Sequence, residues 1–247
     1  MRRTVVRAMG SEGAGSGASA EAIGRRTRQV LERIGEACER SGRRASEVTL
    51  IAVTKTRPLE DVEGVLAAGV RDVAENYVQR ALERVAEIGE GRCRWHLIGR
   101  LQRNKARHAV GFVDWLHALD SEALADEVGR RARAMDRTIQ CLVEVNVAGE
   151  ASKEGVAPPD LERLYAHAAA VEGLAVNGLM TVAPLVSDPE EARGVFAQLR
   201  QLRDDLRSAG YAAEHLSMGM TGDFEVAVEE GSTMVRIGTA LFGPRSA

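Results

Sequence analysis

Eight short apolar runs, each followed by a stretch of helical periodicity, recur along this chain, and that alternation leaves few folds open to it. The runs lie at 48–54, 71–74, 93–98, 112–117, 139–146, 174–180, 214–217 and 233–237. Helical patterns occupy 58–68, 77–88, 102–109, 121–134, 159–171, 189–208 and 223–230 between them. One more amphipathic helix is predicted over 21–41, where Val30, Leu31, Ile34, Ala37 and Cys38 recur at helical spacing. Strands that alternate with helices pair in parallel, with the helices covering the sheet. An open, doubly wound sheet is the rival arrangement. Eight regular units within about 200 residues, with no glycine-rich dinucleotide fingerprint, favour closure instead. The expected fold is therefore α/β, a (β/α)8 TIM barrel with an extra N-terminal helix, in a single domain over 21–247. Residues 1–20 run through Gly10-Ser11-Glu12-Gly13-Ala14-Gly15-Ser16-Gly17, which has nothing to pack, and are expected to form a disordered tail.

Charge and cysteine usage exclude several function classes. A formal net charge of −3 leaves no electrostatic footprint for nucleic acid, so the basic stretch from Arg100 to His108 reads as a solvated helix face. No run approaches the length of a membrane span. Cys38, Cys93 and Cys141 are far apart and sit in apolar contexts, which predicts reduced thiols and a cytoplasmic location. His96, His108, His117, His167 and His215 show no metal-binding spacing and read as structural or solvent-facing.

In a parallel barrel the chemistry sits on loops that follow the carboxyl ends of strands. Thirty of the 33 basic residues are arginine, leaving only Lys55, Lys105 and Lys153 as lysines. Arginine replaces lysine as a surface charge but not as an amine nucleophile. Lys55 ends the first apolar run, where a partly desolvated amine is suited to form a Schiff base; the bland alternative is a strand-terminal lysine reaching water. Phosphate sites in such barrels use the loops after strands 7 and 8. Ser217-Met218-Gly219-Met220-Thr221-Gly222-Asp223 and Arg236-Ile237-Gly238-Thr239-Ala240 occupy those places, and the helix from 223 is expected to point free amides at an anion. Together these features describe a phosphorylated aldehyde held as an imine. A sugar-phosphate aldolase shares the lysine and the phosphate loops but does not explain Arg236.

The segments Ile51-Ala52-Val53-Thr54-Lys55-Thr56, Gly99-Arg100-Leu101-Gln102-Arg103-Asn104-Lys105, Gly178-Leu179-Met180, Leu216-Ser217-Met218-Gly219-Met220 and Gly231 to Thr239 closely resemble, in the same order, the pyridoxal phosphate homeostasis protein family. The resemblance spans about residues 25–243. It implies a barrel of the alanine racemase N-terminal-domain type that binds pyridoxal 5′-phosphate through Lys55. It further implies that Ser217, Gly238 and Thr239 hold the phosphate, that Arg236 partners the pyridine nitrogen and that Asn76 lies near the ring. Thr54 stands where many members carry serine, and Arg57 where many carry a second lysine.

A guanidinium against the ring nitrogen keeps that nitrogen unprotonated and weakens the cofactor as an electron sink. The expected role is accordingly to hold and deliver the cofactor to apo-enzymes, in service of vitamin B6 homeostasis, rather than to catalyse. The runner-up is an amino-acid racemase or decarboxylase. A racemase of this barrel type takes a second acid/base from a separate β-domain, for which the ten residues after the last strand leave no room. A closed sheet without an evident apolar patch predicts a monomer. Glu75 is a possible base or a rim hydrogen-bonding group, and Lys105 an ion-pairing helix-surface charge or, alternatively, a phosphate-facing one. Lys153, within Gly149-Glu150-Ala151-Ser152-Lys153-Glu154-Gly155, is expected on a mobile lid, either guiding the leaving aldehyde or simply solvated.

Overall fold

The computed structural model describes residues 19–89, 91–150 and 153–244. Eight parallel strands close on themselves in sequence order, β1-β2-β3-β4-β5-β6-β7-β8. Helix α1 (Ala20–Arg40) precedes β1 (Thr49–Val53), α2 (Leu59–Ala67), β2 (Asp72–Glu75), α3 (Val78–Ile88) and β3 (Arg94–Leu97). The chain continues through α4 (Ala106–Ala109), β4 (Trp115–Leu119), α5 (Glu122–Arg133), β5 (Ile139–Glu144), α6 (Leu161–Ala169) and β6 (Leu174–Met180). It ends with α7 (Arg193–Ser208), β7 (His215–Ser217), α8 (Phe224–Glu229), β8 (Met234–Ile237) and α9 (Thr239–Phe242).

The expected barrel and its N-terminal helix are both present. Ser19 caps α1 by accepting the Ala22 amide at 3.2 Å, so the helix starts at Ala20; the tail expected over 1–20 otherwise lies outside the described residues. The predicted strand at 112–117 is displaced to Trp115–Leu119. Phe112 and Val113 instead follow α4 in a turn, their amides bonding the Ala109 carbonyl. An apolar run records burial, and Val113 is buried against the helices rather than in the sheet. The helix expected over 102–109 is a 3-10 turn at Arg103–Lys105 followed by the single turn of α4. Helix α9 was not legible, because one turn is too short to establish a periodicity.

Alternation along the strands sorts the core into layers. Ile51, Val53, Ala74, Leu142, Met180 and Met234 form an inner cluster within the barrel. A second cluster places Ile23, Val30, Ile34 and Cys38 of α1 against Leu50 and Ala52 of β1, Val235 and Ile237 of β8, and Phe224 and Phe242. Helix α1 thus covers the seam where β8 meets β1. The one-turn α9 is too small to bury that seam alone, which is the structural reason for an added helix.

Gly178 illustrates how tightly the strands are drawn together. It faces His215 across the β6–β7 pairing, and a Cβ at Gly178 would stand 2.0 Å from the His215 carbonyl oxygen. Backbone cannot move aside as a side-chain tip can. Replacing Gly178 by Ala is expected to cost about 2 kcal/mol or more, read as a lower urea midpoint with unchanged slope. A midpoint equal to that of the wild type contradicts this packing.

Candidate cofactor site

The carboxyl ends of β1, β3, β7 and β8 open onto a cavity of about 370 Å3, within the range of small-molecule sites. Lys55, Arg57 and Arg236 enter it as cations, Val53, Ile98, Met220 and Leu185 as apolar walls, and Thr221, Gly222, Gly238 and Thr239 from the last two loops. No carboxylate belongs to this lining among the described residues.

Lys55 sits in a turn closed by the Arg57 amide bonding the Thr54 carbonyl at 3.0 Å. Thr56 in this turn has φ +63°, a left-handed conformation that costs a β-branched residue about 1–3 kcal/mol. The turn is pinned from both sides. Thr54 Oγ1 donates to Glu75 Oε1 at 2.6 Å, and Arg57 reaches the Gly243 carbonyl at 2.5 Å while lying over the Phe242 ring. The expected partial desolvation of Lys55 is not found: its side chain is exposed at the mouth of the cavity. Strand β1 ends two residues earlier, so Lys55 has left the packed interior and reaches over the opening.

Arg236 forms the floor. It is buried at 4% exposure, donates from Nη1 to Ser217 Oγ at 2.5 Å and from Nη2 to the Thr181 carbonyl at 2.8 Å. Burial lowers its pKa to about 10, so it stays a cation at neutral pH. Ser217 is fully buried, occupied by Arg236 and His117, and absent from the cavity lining. The hydroxyl that lines the cavity from this loop is that of Thr221, which also accepts the Ala240 amide at 3.3 Å and so ties the two loops together. Gly219 makes this tie possible. It has φ +93°, and a Cβ there would lie 2.6 Å from that of Ala227.

The amides at the start of α8 do not point at the cavity as expected. Those of Asp223 and Phe224 bond the Met220 carbonyl, and Asp223 Oδ1 accepts the Met220 amide at 2.6 Å. Gly238 and Thr239, at the start of α9, do line the cavity.

Asn76 belongs to a second cleft of about 580 Å3, which shares Lys55 and Thr56 with the first and adds Glu75, Tyr77 and Arg80. Glu75 is fully buried; desolvation raises its pKa against the opposing pull of Thr54, Arg84, Arg80 and Lys55. Lys153 pairs with Glu150 at 2.7 Å on the rim, while Ala151 and Ser152 of its expected lid lie outside the described residues. Lys105 is exposed and outside both clefts. The three cysteines are free, and no cluster suited to a metal exists among the described residues. None of their helices is long and apolar enough to cross a membrane.

The reading from sequence missed Glu144 and the role of the interior histidines, and within the loop after β7 it singled out Ser217, whereas Thr221 is the hydroxyl that lines the cavity. Glu144 ends β5 with the same parity as the inward-facing Leu142, which is the signal that would have found it. Burial raises its carboxyl to about 7, opposed by the attraction of Arg236.

The chain matches the family model described as alanine racemase, N-terminal domain, over residues 30–246. It is 44% identical over 221 residues to the pyridoxal phosphate homeostasis protein of Aquifex aeolicus, covering 89% of this chain and 97% of that protein. It is 40% identical over 217 residues to the protein of that name from Pseudomonas aeruginosa, covering 88% and 93%. The structure of PipY from Synechococcus elongatus with PLP bound superimposes with a TM-score of 0.78 at 35% identity, covering 90% of this chain and all of that one. The chain belongs to the pyridoxal phosphate homeostasis protein family.

Glu144 gives a pH dependence of known sign. Its carboxyl holds a proton in the folded protein up to about pH 7 but releases it near 4.5 when unfolded. The folded state therefore binds more protons between those values, and stability falls as pH rises through the window. Glu144→Gln removes this loss. The ligand-free variant is expected to gain about 1–3 kcal/mol over wild type at pH 8 relative to its difference at pH 4, measured by urea unfolding. A pH-independent difference contradicts the raised carboxyl of this half-buried residue.

Proposed function

We propose that this member of the pyridoxal phosphate homeostasis protein family binds pyridoxal 5′-phosphate as a Schiff base on Lys55 and serves as a holder and donor of that cofactor in vitamin B6 homeostasis. The observation that carries the reading is the single cavity shared by Lys55, Arg236 and the threonine loops. Its donor set matches the three parts of the cofactor. An aldehyde requires an amine, supplied by Lys55 as the one lysine of that lining. A phosphate requires donors without a neighbouring carboxylate, supplied by the Thr221 and Thr239 hydroxyls and the Gly222 and Gly238 backbone. The ring requires apolar walls, supplied by Val53, Ile98 and Met220, with a polar partner for its nitrogen in Arg236.

When bound, pyridoxal phosphate supplies an electrophilic carbon for amines and an aromatic system that accepts electrons. The residues of this chain favour the first property over the second. Arg236 is a guanidinium at neutral pH and donates hydrogen bonds only, so it holds the ring nitrogen as an acceptor. That arrangement supports binding rather than catalysis. The exposed Lys55 at an open mouth suits exchange with an incoming amine and hence release to an apo-enzyme. Free cysteines support a cytoplasmic location, and the closed sheet, which has no edge strand to pair with a second copy, supports a monomer.

Borohydride reduction of the protein incubated with pyridoxal phosphate tests this assignment. A stable adduct is expected on the peptide containing Lys55, with loss of the near-ultraviolet or violet absorbance, and Lys55→Ala is expected to give neither. An adduct mapped to Lys105 or Lys153 overturns the assignment.

A further inference from the structure

The cavity does not account for a chain of buried polar side chains that crosses the barrel beneath it. At one end Arg94 holds Asp72 in a two-pronged contact, at 2.7 and 2.6 Å. Asp72 Oδ1 lies 2.9 Å from His96 Nε2, and His96 Nδ1 lies 2.8 Å from His117 Nε2. His117 Nδ1 lies 2.9 Å from Ser217 Oγ, which lies 2.5 Å from Arg236 Nη1. Inward of the exposed Arg94, the five residues Asp72, His96, His117, Ser217 and Arg236 come one each from β2, β3, β4, β7 and β8. All five residues are buried, and Trp115 holds the imidazoles, parallel to His96 at 6.0 Å and edge-on to His117 at 6.3 Å.

The two ends of this chain dictate where every proton lies. A guanidinium only donates and an ionised carboxylate only accepts. Burial works to raise the Asp72 carboxyl, but hydrogen bonds from His96 and Arg94 outweigh it and hold Asp72 below its ordinary range. Burial lowers His96, despite Asp72, and pushes His117 far down, so both rings are neutral at pH 7 and each has one N–H. Arg236 then donates to Ser217, Ser217 to His117 Nδ1, His117 from Nε2 to His96 Nδ1, and His96 from Nε2 to Asp72. Each bond runs the same way. The order Ser-His-His-Asp looks like nucleophile activation, yet the Ser217 hydroxyl is fully buried beneath Arg236 and cannot meet a substrate.

We infer that Asp72, His96, His117 and Ser217 form a one-directional hydrogen-bond relay that fixes the orientation of Arg236 at the floor of the cavity, which makes Ser217 a positioning residue for Arg236 and not a phosphate ligand. The relay also links the charge of Asp72 to a buried cation whose hydrogen bonds go to the Ser217 hydroxyl and the Thr181 carbonyl. The consequence for the cofactor rests on the function proposed above; the proton pattern itself does not.

Two measurements separate these claims. In the ligand-free wild-type protein, nitrogen-15 NMR of labelled histidines at pH 7 is expected to find His96 and His117 as neutral Nε2–H tautomers. A proton on Nδ1 of either ring overturns the relay, whatever the protein binds. In the second, Ser217→Ala is titrated with pyridoxal phosphate and with pyridoxal. The variant is expected to keep the wild-type ratio of the two affinities within about threefold, while the absorbance maximum of the bound chromophore shifts. His117→Phe is expected to shift it in the same way, and Ser217→Thr to restore it. A tenfold or greater fall in that ratio, the scale of a lost charge-assisted phosphate bond, with an unshifted maximum, overturns the positioning role. If wild type binds neither compound, the cofactor reading fails and the histidine tautomers still decide the relay.

Discussion

A guanidinium closed inside a barrel is the constraint around which the rest of this site is arranged. Burying an unpaired charge costs several kcal/mol even after relaxation, and arginine does not escape the cost by shedding its proton at neutral pH. Arg236 answers it with two short hydrogen bonds and with the attraction of Glu144 and Asp223. Ser217 accepts one of those bonds and is hydrogen-bonded in turn to His117, which contacts His96 and through it Asp72. The floor of the cavity is thereby a hydrogen-bonded polar layer, and Lys55 stands exposed above it.

The architecture serves that division. Closure of eight strands brings β4 across the lumen from β7, and the His117–Ser217 contact between them is how residues 72 and 236 come to share a network. Helix α1 seals the β8–β1 seam, so that the strand carrying Arg236 and the strand leading to Lys55 keep their register. The left-handed Thr56 then turns the chain sharply after Lys55. Strain of this kind persists only where surrounding contacts over-determine it, and the Thr54–Glu75 and Arg57–Gly243 bonds on either side do so.

Much of this was legible in the sequence because it depends on local pattern. The period of each helix, the shortness of each strand and the scarcity of lysine pointed to a closed barrel with Lys55 at its rim. Loops after β7 and β8 were recognisable from their glycines and hydroxyls. What escaped was decided by contacts between distant strands. Ser217 and Thr221 lie four residues apart in one loop segment, yet one hydroxyl is consumed by Arg236 and the other faces the cavity. Nothing in the local pattern distinguishes them. His96 and His117 look scattered along the chain, and only the sheet order makes them neighbours. The desolvation expected of Lys55 failed for a related reason: a strand's end can face inward or stand clear of the packed layer, and the turn at Thr56 sets which.

In the proposed complex one cavity receives the cofactor with its aldehyde at Lys55, its phosphate at Thr221 and Thr239, and its ring nitrogen at Arg236. A crystal structure of the cofactor-loaded protein tests all three contacts at once. Continuous density is expected from Lys55 Nζ to the cofactor, with phosphate oxygens within about 3.2 Å of both threonine hydroxyls and the ring nitrogen within the same distance of the Arg236 guanidinium. A phosphate lodged instead in the neighbouring cleft beside Asn76 and Arg80, or on the Ser217 hydroxyl with Arg236 turned away, would contradict it.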